Sequence, residues 1–150
     1  MKIYYNNKIL NAKEKITIED IQEIELKYHF TFPEEFKEHY LSYNGGEPEK
    51  YVFVDEDGDE YIIQQFIPIK GGNRDFDTTL RDLRRDGIIP DWLIPFAEEP
   101  SGDLYCFSIA EGSEGDIYLW YHEEVDDPDN SYSYLCDSLS EFINSMKEHY

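Results

Sequence analysis

Leu104-Tyr105-Cys106-Phe107-Ser108-Ile109, the turn Gly112-Ser113-Glu114-Gly115, and the return Asp116-Ile117-Tyr118-Leu119-Trp120-Tyr121-His122 decide the fold of this chain. The first run is apolar on both faces, the pattern of a strand at the centre of a sheet. The glycines flanking Ser113-Glu114 let the backbone reverse, so the second run is predicted to pair with the first. Upstream, Trp92-Leu93-Ile94-Pro95-Phe96-Ala97 is apolar and reads as extended, and an acidic turn, Glu98-Glu99-Pro100-Ser101-Gly102-Asp103, leads from it into the central strand. Downstream come an acidic, proline-containing loop from Glu123 to Asn130 and a short strand over Tyr132 to Leu135. Ser138, with Glu141 three residues later, is a capping box that opens a final helix to Tyr150, with Leu139, Phe142, Ile143 and Met146 as its buried stripe.

The N-terminal half reads as helices followed by a hairpin. Lys2 to Tyr5 suggests a short strand or arm before a polar connection. Thr17 is a plausible N-cap with Asp20 three residues on, and Ile18, Ile21, Ile24 and Tyr28 mark a helix burying one stripe. Pro33 opens a second helix with Phe36, Tyr40 and Tyr43 on its apolar face, and Asn44-Gly45-Gly46 is expected to cap its end. Tyr51 to Val54 and Asp59 to Phe66, joined through Asp57-Gly58, read as a β-hairpin. A loop with Gly71-Gly72-Asn73 then leads to a short helix over Thr78 to Asp86, with Leu80 and Leu83 inward. The predicted fold class is α+β: a mixed, mostly antiparallel β-sheet with two N-terminal helices, a short middle helix and a C-terminal helix. No repeat or linker divides the 150 residues, so one domain over 1–150 is expected.

Composition narrows the function classes. The chain is 40% hydrophobic and 16% aromatic, enough apolar surface to offset the entropy of ordering. Its 34 Asp and Glu against 13 Lys and Arg give a formal net charge of −21. Between Arg85 and Lys147 there is no lysine or arginine, while Asp86 to Glu141 carries fifteen carboxylates. Such a field repels nucleic acid and anionic lipid and steers basic partners inward. Solubility also accounts for excess charge, but explains a one-sign stretch of this length less well. Met1-Lys2-Ile3-Tyr4-Tyr5-Asn6-Asn7 lacks the apolar run of a secretory signal, and Leu104 to Ala110 is far too short to cross a bilayer. With only Cys106 and Cys136 there is no disulfide framework, and the expected compartment is the cytoplasm.

The candidate chemistries are weak. Asp55-Glu56-Asp57-Gly58-Asp59-Glu60 resembles a calcium loop, but glycine is fourth rather than sixth, so a turn explains it better. Asp126, Asp127, Asp129 and Asn130 crowd oxygen ligands without a recognised spacing. Histidines 29, 39, 122 and 149 are scattered and no cysteine sits at zinc spacing with them. Cys106 with His122 could form a thiol–imidazole pair across strands, yet a mid-strand cysteine is better read as core. The paired carboxylates Glu98-Glu99 and Glu123-Glu124 fit a solvated face better than acid–base catalysis. Gly71-Gly72-Asn73 lacks the Lys-Ser/Thr of a phosphate loop. Lys70, Arg74, Arg81, Arg84 and Arg85 form the one basic cluster. Pairing with Asp75, Asp77, Asp82 and Asp86 on the same segment is favoured over contact with an acidic ligand. The expectation is a protein without catalytic residues, metal or cofactor.

Four segments carry a resemblance. Phe32-Pro33-Glu34-Glu35-Phe36 through Tyr40-Leu41-Ser42-Tyr43-Asn44-Gly45-Gly46, then Ile94-Pro95-Phe96-Ala97 with Ser101-Gly102-Asp103, then Gly115-Asp116-Ile117-Tyr118-Leu119-Trp120-Tyr121-His122, and finally Cys136-Asp137-Ser138-Leu139-Ser140-Glu141-Phe142-Ile143 stand in the order of the Smi/Knr superfamily, also called SUKH. The chain resembles that family over about residues 17–146, departing at Phe32, Cys136 and Leu139 by exchanges of core size. The resemblance implies an α+β fold with helices on a mostly antiparallel sheet. Bacterial members are commonly immunity proteins that neutralise a toxin domain, often a nuclease or another nucleic-acid-modifying enzyme. Some eukaryotic members are instead scaffolds of cell-wall and signalling regulation.

Charge and resemblance together point to a protein that binds a basic partner, a polymorphic toxin domain, and binds neither nucleic acid nor membrane. A scaffold without a toxin partner is the alternative, and a monomer or weak dimer is the expected state. If strands 104–109 and 116–121 pair, Asp103 and His122 lie at one end of the sheet, and the acidic turn and acidic loop converge there. The expected partner surface is therefore Glu98, Glu99, Asp103, Tyr121, Glu123, Glu124, Asp126, Asp127, Asp129 and Tyr132. Tyrosines there, with Tyr134 and Trp120 nearby, would supply desolvated contact.

Overall fold

The computed structural model describes residues 5–72, 74–124, 126–127 and 130–148. In chain order the elements are β1 (Ile9–Leu10), α1 (Ile18–Tyr28), α2 (Glu34–Ser42), β2 (Glu47–Pro48), β3 (Val52–Val54), β4 (Glu60–Ile62), β5 (Gln65–Phe66), α3 (Phe76–Asp86), β6 (Leu93–Glu98), β7 (Leu104–Ser108), β8 (Ile117–Trp120), β9 (Tyr132–Cys136) and α4 (Leu139–Asn144). A five-stranded sheet runs β5-β6-β7-β8-β9, and β1-β2 and β3-β4 form two small sheets of their own. Every pairing between these strands is antiparallel. The fold is α+β, with β7 at the middle of the main sheet and buried along its whole length.

Local chemistry accounts for the helix starts. Asp20 accepts from the Thr17 backbone N–H at 2.9 Å and from its hydroxyl at 3.2 Å, opening α1. Asp75 accepts from the Thr78 N–H and starts α3 two residues before the expected Thr78. Ser138 accepts from the Glu141 N–H, and Glu141 in turn accepts from the Asp137 N–H, opening α4.

Three readings are corrected by long-range contacts, and a fourth falls largely outside the described residues. Of the expected N-terminal strand, residues 2–4 lie outside the described residues, and the polar connection after it holds β1 instead. α2 stops at Ser42 with Tyr43 extended, so Asn44-Gly45-Gly46 is not a helix cap. Asn44 is buried and joins two loops: its amide donates to the Glu14 and Lys70 carbonyls, and its Oδ1 accepts from the Ile69 N–H at 2.7 Å. Gly45 takes a positive φ of 79°, and a Cβ there would lie 2.9 Å from Pro68 Cβ. The run from Asp59 to Phe66 does not stay in one hairpin. β4 pairs with β3, after which Gln65 and Phe66 pair with β6 instead, the Gln64 N–H reaching the Glu98 carbonyl at 2.8 Å and the Phe66 N–H the Gly46 carbonyl at 2.7 Å. α4 ends at Asn144, because Lys147 is drawn into a backbone bridge with Val52.

The core sits between one face of the main sheet and the helices. Phe107 of β7 stacks 4.1 Å from Phe36 of α2, Phe96 lies 5.1 Å from Phe36, and Tyr105 lies 5.3 Å from Phe142 of α4. Side chains alternate along a strand, so Leu104 and Cys106 of β7 point to the opposite face.

Candidate functional site

The register Leu104↔Trp120 places the acidic turn before β7 beside the segment after β8. Asp103 anchors the junction. Its Oδ1 accepts from the His122 backbone N–H at 3.0 Å and lies 2.5 Å from the ring Nδ1. The turn is closed by the Glu99 N–H on the Asp103 carbonyl at 2.9 Å. The Glu99 carboxylate is used locally, accepting from the Ser101 N–H at 3.0 Å and from the Ser101 hydroxyl. Gly102 adopts φ 109°, and a Cβ on it would sit 3.4 Å from His122 Cε1, so the ring lies directly on this glycine.

A 3₁₀ turn, His122–Glu124, starts the acidic loop. The Glu123 side chain is 84% exposed, its carboxylate 3.9 Å from His122 Nε2. Glu124, Asp126 and Asp127 are exposed, and Asp127 accepts from the Asn130 amide at 2.8 Å. Asp129 lies outside the described residues. Ser101, Asp103, Tyr121, His122, Glu123, Glu124 and Asn130 border one hollow of about 440 Å³.

Not all the expected residues gather there. Tyr121 lines the hollow, but Tyr132 lies on the opposite face of the sheet. Tyr121 hydrogen-bonds Ser133 Oγ at 2.7 Å, whereas Tyr132 is the register partner of Trp120 and packs edge-on against Trp92 at 5.0 Å and Tyr118 at 5.8 Å. Tyr118 in turn meets Tyr134, which is 51% exposed and donates its hydroxyl to Asp137. That hydrogen bond, with burial and the Asp137 charge behind it, pushes the Tyr134 phenol up. Trp92, Tyr118, Tyr132 and Tyr134 thus form an aromatic group on the face away from α2 and α4.

The same face carries a feature that sequence reasoning missed. Gln65, Glu98, Leu104, Trp120 and Tyr132 are successive register partners, one row across all five strands. Gln65 donates its amide to Glu98 Oε2 at 2.9 Å. Glu98, Leu104, Trp120, Asp103, His122 and Arg74 are among the residues lining a cleft of about 480 Å³ over this row. Trp120 is 2% exposed, and its indole Nε1 has no hydrogen-bond partner among the described residues. The only sequence signal was the tryptophan on a strand beside the acidic turn, and Arg74 and Gln65 join it only through the fold.

Other candidates resolve into structure. Among the described residues, Asp55, Asp57 and Asp59 are the one carboxylate group close enough to hold a cation. Asp55 is already engaged, accepting from the Asp57 and Asp59 N–H groups and the Tyr61 hydroxyl at 2.9 Å each. Cys106 is opposite Tyr118, away from His122, and burial pushes its thiol well up. In the basic cluster, Lys70 pairs with Asp20 at 2.9 Å, and Arg81 and Arg85 pair with Asp82 and Asp86. Arg84 donates to the Tyr28 and Asp91 carbonyls, and Arg74 donates to Thr79 Oγ1 at 3.2 Å. Asp75 and Asp77 are not partners of this cluster's arginines, since Asp75 caps α3 and Asp77 binds Lys27 and the Tyr28 hydroxyl. No helix among the described residues is long and apolar enough to cross a membrane.

A family model described as SMI1 / KNR4 family (SUKH-1) matches residues 15–145. No curated protein matches the chain.

Proposed function

From the premise that this chain belongs to the SMI1/KNR4 family (SUKH-1), we propose that it is an immunity-type binding protein. On this reading it neutralises a nucleic-acid-targeting toxin domain by direct contact through its acidic surface. The observation that carries the reading is the meeting of the 98–103 turn and the 122–127 segment at one end of the main sheet. It falls within a stretch from residue 86 to residue 146 that has no lysine or arginine to neutralise it. Like charges held together cost stability, a few tenths of a kcal/mol per exposed pair. They also accelerate encounter with a basic protein and turn away phosphates and anionic lipid. The action needs no chemistry from this chain, because occupying the toxin's substrate-binding surface suffices. The protein acts in the cytoplasm on this reading, as a monomer or weak dimer.

The test uses a toxin domain encoded beside the gene for this chain, where this reading expects one. Reversing Glu123, Glu124, Asp126 and Asp127 to Lys should abolish protection and slow association at least tenfold, while leaving the melting temperature unchanged or slightly raised. The control set is Glu14, Glu19, Glu23 and Glu49, all exposed and distant in sequence from the turn and loop. Glu35 is unsuitable as a control because its carboxylate accepts from the Leu139 and Ser140 N–H groups at the start of α4. Loss of binding in the control set with normal binding in the first set would move the interface to the N-terminal part of the chain.

A further inference from the structure

The two edges of the main sheet are finished differently. At one edge β5 is two residues long, and its Phe66 N–H is taken by the Gly46 carbonyl at 2.7 Å. At the other edge lies β9, paired with β8 alone. The Tyr121 N–H donates to the Ser131 carbonyl at 2.7 Å, which makes Trp120↔Tyr132 and Tyr118↔Tyr134 the non-hydrogen-bonded pairs of that ladder. Ser133 therefore bonds β8, whereas the N–H and C=O of Tyr132 and Tyr134 point away from the sheet. No group among the described residues takes them up. Exposed edges are ordinarily guarded by lysine, proline or an inward charge, and Tyr132-Ser133-Tyr134 has none of these. The guard comes only afterwards, where the register shift bends β9 past Tyr134. Both tyrosine side chains project to the face that holds Trp92 and Tyr118, and Tyr134 is 51% exposed.

We propose that the open edge of β9 accepts an extended segment of a protein partner as a further strand of the main sheet, with Lys or Arg flanking its apolar centre. The inference rests on the reading of the chain as a partner-binding protein and names the contact that holds the partner in place. In strand addition the main chain supplies affinity and alternate side chains supply specificity. Here β-branched or aromatic side chains of the added strand pack beside Tyr132 and Tyr134. Charge selects the flanks. Exposed Glu124, Asp126 and Asp127 precede β9 and exposed Asp137 follows it, with no lysine or arginine from residue 86 to residue 146. The same charges disfavour a second copy of this chain. Two β9 edges meeting about a two-fold axis bring Asp137 of one copy toward the 126–127 segment of the other, acid against acid. A basic strand turns that repulsion into attraction.

The probe is the capped peptide acetyl-Lys-Arg-Val-Thr-Val-Arg-Lys-amide, titrated into the ¹⁵N-labelled protein. The Tyr132 and Tyr134 amide protons should move downfield and saturate with a dissociation constant of about 0.1–10 mM, while Ser133, already bonded to β8, moves little. The peptide with proline in place of both valines keeps the charge but loses the donors, and should not saturate. The peptide with glutamate in place of every Lys and Arg should not saturate either. Tyr134→Pro puts a ring on the edge without removing a bond to β8, and should weaken binding about tenfold or more. Tyr134→Thr keeps the N–H and should stay within about threefold of the parent. If the proline variant does not fold, the amide shifts of the parent protein decide alone. The proposal is overturned if those amides give no saturable shift up to about 20 mM, or if the proline peptide gives the same constant. It is also overturned if the protein alone dimerises with the Tyr132 and Tyr134 amides protected from exchange, since a second copy is then the occupant. The wider reading is tested separately. If the reversal at residues 123–127 abolishes toxin binding while folded Tyr134→Pro leaves its affinity unchanged, the edge proposal fails and the immunity reading stands. If the peptide docks as expected and the toxin encoded beside this chain is not bound, the edge stands and the immunity reading falls.

Discussion

Replacing Asn44 by alanine should be among the most damaging single changes in this chain, although it removes only three side-chain heavy atoms' worth of chemistry. Asn44 is 2% exposed and makes three hydrogen bonds, two donated by its amide to the Glu14 and Lys70 carbonyls and one accepted from the Ile69 N–H. Ile69 is buried, so its orphaned N–H costs about 1–3 kcal/mol. The two carbonyls belong to exposed residues that water can reach after the change, and each loses about 0.5–1 kcal/mol. Together these give about 3 kcal/mol, which in a domain of 150 residues lowers the melting temperature by roughly 6–12 °C. Urea unfolding followed by circular dichroism measures it directly, with the slope expected to stay unchanged because the folded state buries the same surface. A loss below about 1 kcal/mol would mean that water or a loop shift replaces these bonds, and that Asn44 does not hold the two loops together.

His39 gives a pH signature. Burial holds its imidazole down at about 3 from an ordinary 6.5, so below 6.5 the unfolded chain takes up a proton that the native one refuses. Its contribution is intact above 6.5 and declines by about 1.4 kcal/mol per pH unit toward 3. His39→Gln should flatten the slope of stability against pH in that window, and an unchanged slope would refute the assignment. Burial raises both thiols, Cys136 to about 12 and Cys106 well above its ordinary value, so neither should react with a thiol reagent at pH 8 in the native state while both react in urea. Gly102→Ala forces a φ of 109° on a side-chain-bearing residue facing His122, and should cost about 1–3 kcal/mol while shifting the His122 ring resonances.

What the sequence disclosed depended on how local the deciding interactions were. The β7–β8 pairing and the Ser138 capping box are settled within about twenty residues, and both appear where the glycines and the serine predict them. The 59–66 run was misread because its second half answers to Glu98 and Gly46, which no local pattern reveals. α4 was drawn too long because the pull of Val52 on Lys147 acts across ninety-five positions. For the candidate site, pairing alone brought Asp103 to His122. The separation of Tyr121 from Tyr132 depends on the β8–β9 register, Trp120↔Tyr132, with a shift after Ile117 that period-two counting does not contain. The cleft over Trp120 was invisible because its walls come from four stretches of chain.

The seam between the two ends of the described chain bears on how the protein can be made. Asn6 and Asn7 bond to Asn144 and to the Ile143 carbonyl, Lys147 is bridged to Val52, and Phe142 packs on Phe53, Phe96 and Tyr105. A polypeptide emerging from the ribosome therefore holds most of its sheet before the residue that seals the core arrives. Until Phe142 and Lys147 are free of the exit tunnel, the edges of β3 and the underside of the sheet stay open to chaperones or to neighbouring chains. Synthesis at about 5–20 residues per second makes that interval a matter of seconds.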